Sequence, residues 1–249
     1  MEAECTSIEE LPGFRRRIRV EPAEGRTLAM LEDDIHCMAV ILRHDGERVL
    51  AVEPETERMP WDTCPGAAAK LIETFAGQPL VEVNARREKK ANCTHLHDLA
   101  VLAAAHTQDR EGFTYEIFAS DPVGGERFLE IRRDGKAIHR WTEKDGTLVD
   151  PPELAGQTLL SLRDWIGTLT GTEQEAARLL QWGSLVAHGR TMPLEEQSRA
   201  ADLPPNCYTF QPGRAAHAER VGERFDFSDG SRMPLEGFGD RMLARLKRG

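Results

Sequence analysis

With 249 residues, a hydrophobic fraction of 40% and a charged fraction of 30%, the chain has the composition of an ordinary globular protein long enough to bury a sizeable core. No apolar run approaches the length of a membrane span, and a net charge of −10 argues against nonspecific nucleic-acid binding as a main role. Five cysteines at irregular spacing, with no secretory signal behind the acidic start Met1-Glu2-Ala3-Glu4, lead us to expect reduced thiols and a cytoplasmic protein.

Residues 1–13 are polar and end in Pro12-Gly13, so a flexible lead-in is expected there. Alternation over 17–20 predicts a short edge strand, and β-rich runs follow at 26–31, 35–43 and 48–54. The last two form a predicted hairpin, because Asp45-Gly46 between them supplies positive φ for a tight turn. Alternation in the hairpin puts Ile35, Cys37, Ala39 and Ile41 on one face and His36, Met38, Val40 and Leu42 on the other. His36 thereby keeps half-buried company.

The run Met59-Pro60-Trp61-Asp62-Thr63-Cys64-Pro65-Gly66 breaks the strand pattern, and 67–75 then reads as a helix closed by Gly77. Pro65 in the first turn would leave Thr63 or Cys64 at the cap. Residues 80–83 read as a short strand, and Arg86-Arg87-Glu88-Lys89-Lys90 as a basic loop. From there Asn92-Cys93-Thr94-His95-Leu96-His97-Asp98-Leu99 opens an alanine-rich helix. A helix start offers unpaired N–H groups and a positive dipole end, which favour a thiolate or hold an anion.

After residue 112 the order repeats. Strands are predicted at 115–119, 128–132 and 137–142 with an Asp134-Gly135 turn, then a Pro151-Pro152 loop, a helix over 159–169 and a second over 172–188 capped by Thr172. This predicts an α+β fold of antiparallel β-hairpins with helix pairs, arranged as two diverged copies of one unit. The expected division is a lead-in (1–13), a motif-bearing half (14–110), a second hairpin-plus-helices half (111–190) and a wrapping C-terminal segment (191–249). Trp141, Trp165 and Trp182 sit among apolar neighbours and read as core. The basic helix expected over 239–248 suits its own dipole and calls for no functional reading. Gly124-Gly125 reads as a hairpin turn, and the chain carries no phosphate-binding glycine motif.

Three separated motifs carry a resemblance. They are Asp34-Ile35-His36-Cys37-Met38, Pro60-Trp61-Asp62-Thr63-Cys64-Pro65 and Cys93-Thr94-His95-Leu96 followed by Asp98-Leu99. Together they resemble the bacterial family of unknown function numbered 2889 (DUF2889) over roughly residues 15–108. One departure is Asn92, where the family pattern has glycine. The resemblance implies a bacterial protein of aromatic-compound breakdown, including lignin-derived dimers, and names no reaction.

The expected reaction is therefore a lyase step on a hydroxylated aromatic compound, such as loss of formaldehyde from a hydroxymethyl side chain. His36 or His95 would be the base, since imidazole titrates near working pH. Asp34 would orient an imidazole, Arg58, Tyr208 or Arg190 would meet a departing phenolic oxygen, and Cys93 is a thiol at the same place. Trp61, His97 and Arg190 are expected to bind substrate. No cofactor is expected. The alternative is a metal-dependent hydrolase with zinc or iron on Cys64, Cys93, His95 and His36, and a third reading is a non-catalytic small-molecule or metal-binding protein. The plainest alternative makes Cys64 and Cys93 small buried hydrophobes, His95 a partner of helix-end carbonyls and Arg58 a surface arginine on Trp61. The expected partner is a small aromatic substrate, with neither nucleic acid nor membrane, and a homo-oligomer left open.

Overall fold

A computed structural model describes residues 10–83, 88–190 and 199–248. Residues 1–9 of the expected lead-in, Arg86 and Arg87 of the basic loop, and residues 191–198 of the C-terminal segment lie outside the described residues.

In chain order the strands are β1 (Gly13–Ala23), β2 (Arg26–Glu32), β3 (Cys37–His44), β4 (Val49–Arg58), β5 (Phe113–Ser120), β6 (Glu126–Arg133), β7 (Lys136–Lys144) and β8 (Thr147–Asp150). The α-helices are α1 (Ala67–Phe75), α2 (Leu80–Val83), α3 (Thr94–Ala105), α4 (Arg163–Thr168), α5 (Gly171–Ala187), α6 (Pro212–Ala215) and α7 (Phe238–Arg248). Successive strands pair antiparallel from β2 to β4 and from β5 to β8, so the fold is α+β as expected. Among the described residues no helix is long and apolar enough to cross a membrane.

The chain forms two compact units. One, which bears the site below, holds residues 18–113, 199–225 and 235–248; the other holds 10–17, 114–190 and 226–234. The break after Phe113 falls close to the boundary read from the sequence, whereas the C-terminal stretch contributes to both units. β1 passes from one unit to the other.

In the site-bearing unit the strand order is β4-β3-β2-β1. Seven of the eight residues in β3 and six of the seven in β2 are buried, which means that both faces are covered. On one face Leu28, Met30, Cys37, Ala39 and Ile41 meet Phe238, Met242 and Leu246, the stripe that α7 presents at every fourth residue. Arg241 and Arg245 on the polar side of α7 pair with the acidic residues of β4, Arg245 reaching Glu55 at 2.7 Å and Glu53 at 3.2 Å. α3 packs on β2 and β3 and α1 packs on β4. The small residues Ala100, Ala103 and Ala104 let α3 approach closely, and all three are buried.

In the other unit the order is β1-β5-β6-β7-β8. Its Asp134-Gly135 turn forms as predicted, with φ of 50° and 78° at the two residues. Asp145-Gly146 repeats that geometry at 49° and 82° and leads into β8, a strand that the sequence reading missed. Replacing Gly135 by alanine should cost about 1 kcal/mol, since a Cβ is unfavourable at positive φ. A urea midpoint lowered at constant slope is the measurement that checks it.

Other expectations are corrected. β1 spans 11 residues rather than a short edge segment. Residues 80–83 form a helical turn, which Pro79 starts with its preset φ. The helix expected over 159–169 is a 3₁₀ turn (Leu159–Ser161) followed by the short α4. α5 begins at Gly171 with Thr170, not Thr172, at its cap.

Candidate functional site

The site grows from the four-residue connection between β2 and β3. Asp33 is fully buried, and its Oδ1 accepts the backbone N–H groups of Ile35 and His36, both at 2.8 Å. Its own N–H donates to the His36 carbonyl at 2.8 Å. An aspartate closing a turn onto its following N–H groups is a strong local preference. The same carboxylate then holds the imidazole, with His36 Nδ1 at 3.1 Å from Oδ1 and 3.3 Å from Oδ2. A carboxylate only accepts, so the neutral ring carries its proton on Nδ1 and its lone pair on Nε2.

His95 comes from the first turn of α3. Its ring centroid lies 3.8 Å from that of His36, with 32° between the planes. One ligand atom from each of Asp33, His36 and His95 lies within 4.8 Å of the other two, and among the described residues no other trio of His, Cys, Asp or Glu is drawn that close. Distant motifs have thus brought the two histidines together, whereas Cys64 and Cys93 of the expected four-residue group are not part of this trio.

Arg58 lies behind them. A register shift between Cys37↔Arg58 and Met38↔Thr56 leaves an extra residue on β4 there and turns the strand end inward. The buried guanidinium donates to Glu32 Oε1 at 3.0 Å, to the Asp33 carbonyl and to the His36 carbonyl at 3.5 Å, and it lies 3.9 Å from the centroid of the Phe225 ring. The other oxygen of Glu32 accepts the Leu235 N–H at 2.6 Å. Arg58 is therefore committed to the backbone of the Asp33–His36 turn. It positions the site rather than meeting a phenolate.

The remaining candidates divide. Asp34 is buried, but Asp33 is the residue that orients His36; Asp34 offers its carbonyl to the Phe225 N–H at 2.7 Å. Trp61 is core, with Phe210 edge-on at 5.8 Å. His97 is buried against Phe75, ring centroids 5.1 Å apart. Tyr208 is stacked under Arg214 at 3.7 Å, and its hydroxyl abuts Gly66, where a Cβ would stand 2.5 Å from it. Arg190 belongs to the other unit, where it pairs with Asp121 at 3.0 Å and Asp226 at 3.1 Å. Cys93 caps α3, and burial pushes its thiol up to about 12, so at neutral pH it is a protonated thiol and no nucleophile. Asn92 is buried and donates to Thr74 Oγ1 at 3.1 Å and the Glu88 carbonyl at 3.0 Å, tying the start of α3 to α1.

The sequence reading missed a cleft of about 310 Å³ lined by Ile35, Pro60 and residues 220–224. It is built where the Val221 N–H donates to the Pro60 carbonyl at 3.0 Å. Burial, with the nearby charge of Arg224, holds Arg220 below the usual arginine range. Arg220 and Arg224 make this rim cationic.

A family model for a protein of unknown function, DUF2889, matches residues 14–108. Residues 14–108 resemble the DUF2889 family. No curated protein matches the chain. The DUF2889 stretch contains Asp33, His36, Arg58, Cys64, Cys93 and His95, while Tyr208, Arg190 and the arginines of the cleft lie outside it.

Proposed function

We propose that the chain is a cytoplasmic lyase that uses His36 as its general base, acting on a small hydroxylated aromatic compound without a cofactor. The observation that supports this most directly is the Asp33–His36 hydrogen bond, which leaves Nε2 with its lone pair beside the ring of His95. In this reading Nε2 takes the proton of a hydroxymethyl group. The C–C bond opens, formaldehyde leaves, and the electron pair forms a C=C bond as the adjacent phenolic oxygen departs. A proton returned by His95 completes the exchange, so neither water nor an oxidant is consumed. Arg220 and Arg224 on the neighbouring cleft take the phenolate role expected of Arg58, Tyr208 or Arg190. The aromatic substrate class rests on the DUF2889 resemblance.

A second reading has an observation of its own. The closeness of Asp33, His36 and His95 also suits a divalent cation that activates water for hydrolysis. One experiment separates the two. Purified protein is incubated with a panel of lignin-type dimers and their esters, with and without chelator, and formaldehyde and new phenols are assayed together. Aldehyde release that survives chelation is the expected result. Ester cleavage that stops with chelator and returns with metal would replace the lyase by a hydrolase, and saturable binding without any product would make the protein a carrier.

A further inference from the structure

The cleft beside Ile35 is built by a run of chain that joins it to the base. The Asp62 N–H donates to the Glu219 carbonyl at 3.1 Å, the Glu219 N–H to Asp62 Oδ1 at 2.9 Å, and the Val221 N–H to the Pro60 carbonyl at 3.0 Å. Gly222 then turns the chain at φ of 84°, where a Cβ would stand 2.6 Å from the Met59 carbonyl oxygen. The run ends where the Phe225 N–H reaches the Asp34 carbonyl at 2.7 Å. Arg220 is thereby tied to the turn that carries His36.

Packing rather than charge holds Arg220 in place. The residue is half-buried, and its guanidinium carbon lies 5.5 Å from the centroid of the buried Trp61 ring. Arg58, Arg190 and Arg245 each have a carboxylate oxygen within 3.2 Å. Among the described residues no carboxylate pairs with Arg220. Its nearest charged influence is a like one, since burial and then the charge of Arg224 hold it below the usual arginine range. A half-buried cation in a cleft of about 310 Å³ thus stands without a counter-charge.

We propose that Arg220 binds a carboxylate carried by the substrate, so that the compound taken into this cleft is a hydroxylated aromatic acid rather than a neutral phenol. The inference rests on the lyase reading, which puts the substrate beside His36. In that reaction a single phenolic oxygen gathers charge, and one cation answers it. Arg224, exposed on the same rim, can fill that role. Arg220 is left for a charge that the substrate brings with it. A carboxylate suits it better than a phosphate, because the guanidinium fork meets two carboxylate oxygens in parallel while Glu223 on the same wall repels a second negative charge. Ile35 and Pro60 supply apolar wall for the ring.

The test is isothermal titration of the full chain at neutral pH with 4-hydroxybenzoate and with 4-hydroxybenzamide, which has the same outline and no charge. The acid should bind at least about tenfold more tightly than the amide. Arg220→Gln should bring the two probes within about twofold of each other by weakening the acid alone. Equal affinity in the wild type, or no saturable binding of the acid, would overturn the proposal without recourse to any variant. So would a preference for the acid that survives Arg220→Gln. Binding is read here without turnover. A dimer panel that yields no formaldehyde would therefore end the lyase reading alone, and equal binding of acid and amide beside formaldehyde release would end this one alone.

Discussion

Replacing His36 by alanine should lower turnover of the dimer that yields formaldehyde by about a hundred- to ten-thousand-fold, the range for a positioned general base. The variant should stay folded, because the Asp33 carboxylate keeps its two backbone N–H donors without the ring. Asp33→Asn tests the same chemistry from the other side. An amide that turns its NH₂ toward Nδ1 donates where the carboxylate accepted, so the ring proton moves to Nε2 and the base is lost. Both variants should lose activity with the far-ultraviolet spectrum unchanged. Undiminished formaldehyde release by His36→Ala would remove His36 as the base.

Arg58→Ala should be among the most destabilising single changes in the chain, at about 3–5 kcal/mol by urea unfolding. The guanidinium is the counter-charge of Glu32, a carboxylate left 7% exposed, and it also ties down the two carbonyls at either end of the Asp33–His36 turn. Removing it strands a buried anion whose other oxygen is held by Leu235. Pairing it with Glu32→Gln should recover part of the loss, since the stranded charge goes with it. A loss below about 1 kcal/mol for Arg58→Ala would show that the pair is not a buried one. Activity should fall together with stability, which is the signature of a positioning role; a fall in activity alone would return Arg58 to the phenolate.

The pieces of this protein that are legible in its sequence are those governed by neighbours along the chain. Asp45-Gly46 and Asp134-Gly135 need positive φ whatever surrounds them, and both turns form. The helix over Ala67–Phe75 ends where Gly77 adopts φ of 77°. The motif loops at Pro60–Pro65 and Cys93–Leu96 also announced themselves, and with them His36 and His95 as partners. Asp145-Gly146 carried the same signal for β8, which the alternation in so short a strand did not reinforce.

Only the tertiary structure decided which groups those motifs would use. Asp33 and Asp34 are indistinguishable by composition; the turn that Asp33 closes on Ile35 and His36 aims its carboxylate at the ring. Arg58 read as a surface residue or an anion clamp until Glu32 and Phe225 enclosed it. Cys207 lies far along the chain from Cys64 and Cys93, and its loop is seated near them by the Tyr208 N–H on the Asn92 carbonyl and by Thr63 donating to Thr209 Oγ1. Local preference cannot encode such pairings, because their free energy comes from burial and hydrogen bonding between segments that meet only when the sheet and its helices have closed.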